Sequence, residues 1–158
     1  MSVCAVRGCD SRAATGTRLC SEHLEQAQIA HQETKSVAKA AADEAKSGSP
    51  YDILVANFTH KIGNSEQMKK LTHNLIEGGV RDAVDSFPDL AVIPQNVVEQ
   101  LVSFMAVNIV SAVIQERAHL LGRASMVAEA LPKSQAVGLR KMVEMEMEFV
   151  ENKDEKQP

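Results

Sequence analysis

Residues 96–115 read NVVEQLVSFMAVNIVSAVIQ. Within and around this stretch Val97, Val98, Leu101, Val102, Met105, Ile109, Val113 and Ile114 recur at the three- and four-residue intervals that place side chains on one face of an α-helix. Phe104, Val107 and Val110 fill intervening positions, so the helix is apolar nearly all round. Such a helix is the centre of a bundle or lies in an interface between chains. The spacing predicts a helix from about Val97 to Leu121, ended by Gly122. Val98, Leu101, Met105, Ile109 and Val113 are the candidate residues for an oligomer or partner interface. The uncharged run from Gln100 to Gln115 is shorter than the roughly 20 residues a bilayer requires, and it carries Ser103, Asn108 and Ser111. A buried core helix is expected there, and no membrane segment.

Working outward, Pro88 and Pro94 bracket a loop over 89–93. A short helix over 124–131 is interrupted by Pro132, and a last helix runs from Ser134 to about Glu151, with Met142 and Met145 as packing positions. Upstream, Asn64 is expected to cap a helix that reaches the Gly78-Gly79 pair and continues, kinked, to Ser86. Ser49, Pro50 and Asp52 form a capping-box-like start to a helix over 50–61 with Ile53, Leu54, Phe58 and Ile62 inward. Ser21 to Ser47 reads as one long helix of Ala, Glu, Gln and Lys, all good helix formers. Its apolar stripe of Leu24, Ile29 and Val37 is thin, which favours a solvated connecting helix. The alternative is a stalk packing on another chain through Ala27, Ala30, Val37, Ala38 and Ala41. The organisation is therefore all-α: a zinc knuckle over 1–23, a long connecting helix over 24–47, a helical bundle over 50–152 and a disordered tail over 153–158. Hydrophobic residues make up 44% of the chain, with no Trp, one Tyr and four Phe. The core must then be assembled from aliphatic side chains, Met and Ala, which suits helix packing.

All three cysteines lie in the first twenty residues, and an odd number cannot be consumed by disulfides within the chain. Cys4 and Cys9 form one close pair, Cys20 and His23 another. Three thiolates and an imidazole are a standard tetrahedral set for structural zinc. Gly8 before Cys9 suits a tight knuckle needing positive φ, and Cys20 and His23 fall on one turn of a starting helix. Cys4, Cys9, Cys20 and His23 are the candidate Zn2+ ligands, with His31 second choice to His23. Four protein ligands imply a structural ion, because a catalytic zinc keeps a position open.

Cys4-Ala5-Val6-Arg7-Gly8-Cys9 followed by Leu19-Cys20-Ser21-Glu22-His23 resembles the short zinc fingers of many actinobacterial and bacteriophage proteins, some of them homing nucleases or DNA-binding proteins. The resemblance covers residues 4–23 only. It implies the same four ligands and, as a function, contact with nucleic acid, for which Arg7, Arg12 and Arg18 are the candidates. The chain departs from those fingers after the histidine: Leu24-Glu25-Gln26 stands where an aromatic and basic residues often follow. No His-Asn-His nuclease arrangement occurs downstream.

Formal net charge is -4, and the first 49 residues balance six basic against six acidic side chains. Phosphate neutralisation supplies most of a nucleic-acid binder's affinity and usually leaves a basic patch; none is visible here. Asp82, His73 and Glu99 are the residues that would have to line a pocket for an enzyme, but no Gly-rich phosphate loop or nucleophile elbow accompanies them. Glu144, Glu146 and Glu148 lack the Glu-x-x-His partner of a di-metal site. The function expected is a non-enzymatic interaction or assembly protein, of the phage accessory kind, located in the cytoplasm and joined to a protein partner or to itself. The alternative is a nucleic-acid-binding accessory protein.

Overall fold

The computed structural model describes residues 2–44 and 48–151. The tail read over 153–158 lies outside them, as does Ser47. The fold is all-α. Five helices follow the cysteine-rich segment: α1 Ser21–Glu44, α2 Pro50–Gly63, α3 Glu66–Ser86, α4 Gln95–Ala130 and α5 Lys133–Glu151, with a 3-10 turn at Pro88–Val92 in place of the expected loop. No strand forms among the described residues; one isolated antiparallel bridge joins Val3 to Arg12.

Capping chemistry sets the start of α2. The Ser49 hydroxyl accepts from the Asp52 amide at 3.1 Å and donates to the Asp52 carboxylate at 2.6 Å, with Pro50 at the first helical position. Between α2 and α3 the roles differ from expectation. Asn64 closes α2, its side-chain amide donating to the His60 carbonyl. Ser65 is the residue whose hydroxyl accepts from Met68 N and opens α3.

Helices α3 and α4 continue through Gly79 and Gly122. A Cβ on Gly79 would collide with the Val102 side chain, and one on Gly122 would lie 2.9 Å from Val55 Cγ2 and 3.2 Å from Tyr51 Cε2. Both glycines are contact points where another helix approaches the backbone. Glycine costs roughly 0.5–1 kcal/mol against alanine inside a helix, and close approach offsets that cost. The helix α4 therefore runs unbroken past Gly122 to Ala130.

The chain divides into two compact units: Met1–Glu33 with Lys69–Val110, and Thr34–Met68 with Ser111–Pro158. The core of the first contains Val6 and Leu19 from the cysteine-rich segment, Ala27 and Ala30 from α1, Ile76 and Val80 from α3, and Val98, Val102, Ala106 and Val107 from α4. In the second, Ala38, Ala42, Val55, Ile62, Met68, Ile114, Ala118, Leu121, Ala128 and Ala136 are buried. The expected solvated character of α1 is thus overturned. Ala27, Ala30, Thr34, Ala38 and Ala42 make a buried stripe at helical spacing, and small side chains let neighbouring backbones come close; Val37 stays exposed. On α2 Val55, Thr59 and Ile62 are buried; of the expected inner positions Ile62 is buried, Leu54 and Phe58 are half-buried and Ile53 is exposed, and Met142 and Met145 on α5 are exposed.

In α4 the buried row is Val98, Val102, Ala106, Val110, Ile114 and Ala118, one residue every fourth position. Val97, Leu101, Phe104, Met105 and Ile109 are exposed. By length and composition α4 is the one helix among the described residues apolar enough to cross a membrane, and 39% of its most apolar window is buried.

Candidate metal centre

Two tight turns shape the cysteine-rich segment. Cys9 N donates to Val6 O at 3.1 Å across a turn whose third residue, Gly8, has φ +81°; Thr17 N donates to Ala14 O at 3.0 Å across a second whose third residue, Gly16, has φ +78°. That region of backbone space is open to glycine and disfavoured for other residues. Backbone pairing of Cys4 N with Ser11 O and of Ala5 N with Arg18 O draws the first turn toward the start of α1. Cys20 caps that start, its carbonyl accepting from Leu24 N at 2.8 Å. His23 follows in the first helical turn.

These turns bring the ligand atoms of Cys4, Cys9, Cys20 and His23 within 4.8 Å of one another. The four form a site able to hold a metal ion, as the spacing predicts. His23 Nδ1 is 3.4 Å from Cys4 Sγ and 3.3 Å from Cys20 Sγ, and the Cys9 and Cys20 sulfurs are 3.9 Å apart. A tetrahedral ion bound at about 2.3 Å to sulfur and about 2.0–2.1 Å to nitrogen requires edges of roughly 3.8 Å between sulfurs and roughly 3.6 Å between sulfur and nitrogen. The observed edges fit. All three cysteines are free thiols, so no disulfide competes for them.

The surroundings act differently on Cys4 and Cys9. Cys20 N donates to Cys4 Sγ at 3.3 Å, and the α1 N-terminus presents the positive end of its dipole. Burial pushes the Cys4 thiol up, against lowering backbone hydrogen bonds from Val6 and Cys20. For Cys9 burial also acts upward, but hydrogen bonds from Ser11, Cys4 and Cys20 outweigh it and bring the thiol below its ordinary value. Cys4, Cys20 and His23 are buried, while Cys9 is partly open.

One residue of this centre is invisible to ligand-spacing arguments. His23 Nε2 lies 3.1 Å from Glu99 Oε1 on α4. With Nδ1 turned to the sulfurs, Nε2 is left facing the carboxylate, a contact that fixes the ring's orientation. Gln95 donates to the same carboxylate at 3.0 Å and to Arg7 O at 2.6 Å, tying α4 to the first turn. Gln26 donates to Ser103 Oγ at 2.6 Å. A signal for Glu99 does exist in the sequence: it is the only ionisable residue between Asp89 and Glu116. A lone carboxylate in an otherwise apolar helix needs a partner.

His31 is buried on α1 and does not belong to the four-residue cluster. Arg7 pairs with Asp85 at 3.1 Å and Arg18 with Glu77 at 2.7 Å, both on α3, while Arg12 is exposed and forms the isolated bridge with Val3. Of the candidate interface residues, Leu101, Met105 and Ile109 are 44–50% exposed, Val113 is half-buried and Val98 is in the core. Asp82 is exposed beside Arg81, and Glu146 pairs with Arg117 at 2.6 Å. No family model, curated protein or solved structure matches the chain.

Proposed function

We propose that this chain is a non-enzymatic interaction or assembly protein. Its cysteine-rich segment is folded by one structural zinc ion, and it joins a second copy or a protein partner through α4. The observation that carries the reading is the apolar ridge of Leu101, Met105 and Ile109, 44–50% exposed over successive turns. Exposing large apolar side chains in a contiguous row is costly unless something covers them.

Zinc is the ion the donor set favours, because soft thiolates with one imidazole in a tetrahedron select it over hard cations. Cys4, Cys9, Cys20 and His23 would hold it. Four protein donors leave no position for a substrate, which supports a role in folding: so short a segment gains from metal binding the free energy that burial alone does not supply. The resemblance of residues 4–23 to fingers of actinobacterial and phage proteins supports a phage accessory component as the setting.

Nucleic-acid binding is the weaker reading. Arg7 and Arg18 would have to leave Asp85 and Glu77 before reaching a phosphate, and the chain's charge is net negative.

Native mass spectrometry on protein purified without added metal tests the proposal. The expected species is an oligomer, or a complex with a co-purifying protein, carrying one zinc per chain. A zinc-loaded monomer that binds DNA at about 50 mM salt and loses it steeply at higher salt would transfer the function to nucleic acid. A metal-free chain with all three thiols open to alkylation would remove the zinc.

A further inference from the structure

Beside the metal centre, α1 and α4 frame an open groove of about 540 Å3. Glu22, Glu25, Ile29 and Glu33 face it from α1, and Glu99 and Phe104 from α4; none of its lining residues is basic. Two of them are large and apolar yet open to solvent, Ile29 at 52% and Phe104 at 68% exposure. Glu22, Glu25 and Glu33 are exposed, and none of the three forms an ion pair among the described residues. Glu99 is occupied by His23. The walls are held in place, since Gln26 reaches across from α1 to Ser103 Oγ and the Glu99 carbonyl. From Glu22 to Glu33 the acidic wall rises roughly 16 Å, about three helical turns.

We infer that this groove docks a cationic amphipathic helix from a protein partner. Its apolar face would rest on Ile29 and Phe104, and lysines or arginines on its flank would meet Glu22, Glu25 and Glu33. A helix laid into an apolar groove is a recurrent mode of recognition. Exposed ion pairs add little each, so the apolar contacts supply affinity while the acidic wall selects the sign of the partner and speeds its approach. A second copy of this chain is the wrong occupant, because groove against groove brings like charges together. The inference rests on the reading of the chain as an interaction protein and adds the partner's chemistry.

The test uses the full-length, metal-loaded protein and a fluorescein-labelled 18-residue peptide of leucine and lysine, with leucine at helical spacing. The probe's counterpart replaces every lysine by glutamate. Fluorescence anisotropy is expected to show binding of the lysine peptide only. Glu22→Gln, Glu25→Gln and Glu33→Gln together should weaken it at least tenfold, as should raising salt from about 50 to 300 mM, where screening shortens the reach of the charges. Ile29→Ser with Phe104→Ser should also cost tenfold or more, and circular dichroism checks that these surface variants stay folded. Leu101→Asp with Ile109→Asp acts on the ridge and should leave peptide binding unchanged. Equal binding of both peptides, or a triple Gln variant with unchanged Kd, overturns the groove proposal even where the chain still assembles through its ridge. A homodimer of the Ile29→Cys variant in which the two introduced thiols join as a disulfide on mild oxidation likewise overturns it.

Discussion

His23 Nε2 and Glu99 Oε1 are 3.1 Å apart, so a residue in the first turn of α1 is held in hydrogen-bond contact with a carboxylate near the start of α4. The contact links the metal centre to the helical core. Supporting carboxylates of this kind typically contribute 10–100-fold to metal affinity. Glu99→Ala should therefore weaken zinc binding by about that factor in a competition titration with a chromophoric chelator, whereas Glu99→Gln, which keeps an acceptor oxygen, should lose less. Equal affinities for all three proteins would show that the ring is oriented without Glu99.

The cysteines should differ in reactivity once the metal is removed. The thiolate is the nucleophile; Cys9 is held below its ordinary pKa and partly open, while Cys4 is held above it and buried. After chelation at neutral pH, iodoacetamide should label Cys9 first and Cys4 last, read by peptide mass spectrometry over time. With metal bound, labelling of all three should slow together. Acid should reverse the protection: the ligands bind the ion only when deprotonated, so metal is lost as pH falls and regained as it rises.

Gly79 and Gly138 both lie in helices yet should respond oppositely to alanine. The Gly79 Cβ would run into Val102, and forcing extra volume into a packed contact costs about 1–3 kcal/mol. At Gly138 nothing lies within 4 Å of the added carbon, so alanine should stabilise by roughly 0.5–1 kcal/mol through helix propensity. Urea denaturation of the two variants measures both effects.

The four metal-site residues and the all-α class were legible because each rests on a local signal: paired ligand spacing, a capping box at Ser49, an apolar run in α4. What was not legible depends on neighbours. Gly79 and Gly122 looked like helix breakers, but their role is set by Val102, Tyr51 and Val55, residues remote in sequence. The buried side of α1 is made mostly of Ala and Thr with His31, which barely register as apolar, so Ala27, Ala30 and Ala38 were read only as an alternative face for another chain. In α4 the apolar residues surround the axis, so periodicity could not choose between the Val98 row, which is buried, and the Leu101 row, which is exposed. Glu99 was visible as a solitary charge, but nothing local paired it with His23.

That ambiguity in α4 becomes a test of assembly. Val98 and Leu101 are both apolar and one turn apart, yet Val98 is 2% exposed and Leu101 44%. An aspartate at Val98 would bury a charge without a partner, and the loss should reach on the order of 4 kcal/mol or more, enough to unfold many domains. Aspartates at Leu101 and Ile109 face solvent in the isolated chain and should leave its melting temperature nearly unchanged. If the ridge is the assembly surface, the same two aspartates place uncompensated charge in the middle of an interface, where the penalty is large. Sedimentation velocity should then show Leu101→Asp with Ile109→Asp as a folded monomer where the parent chain is oligomeric. A double variant that sediments like the parent would mean that the exposed row of α4 is not where the chains meet.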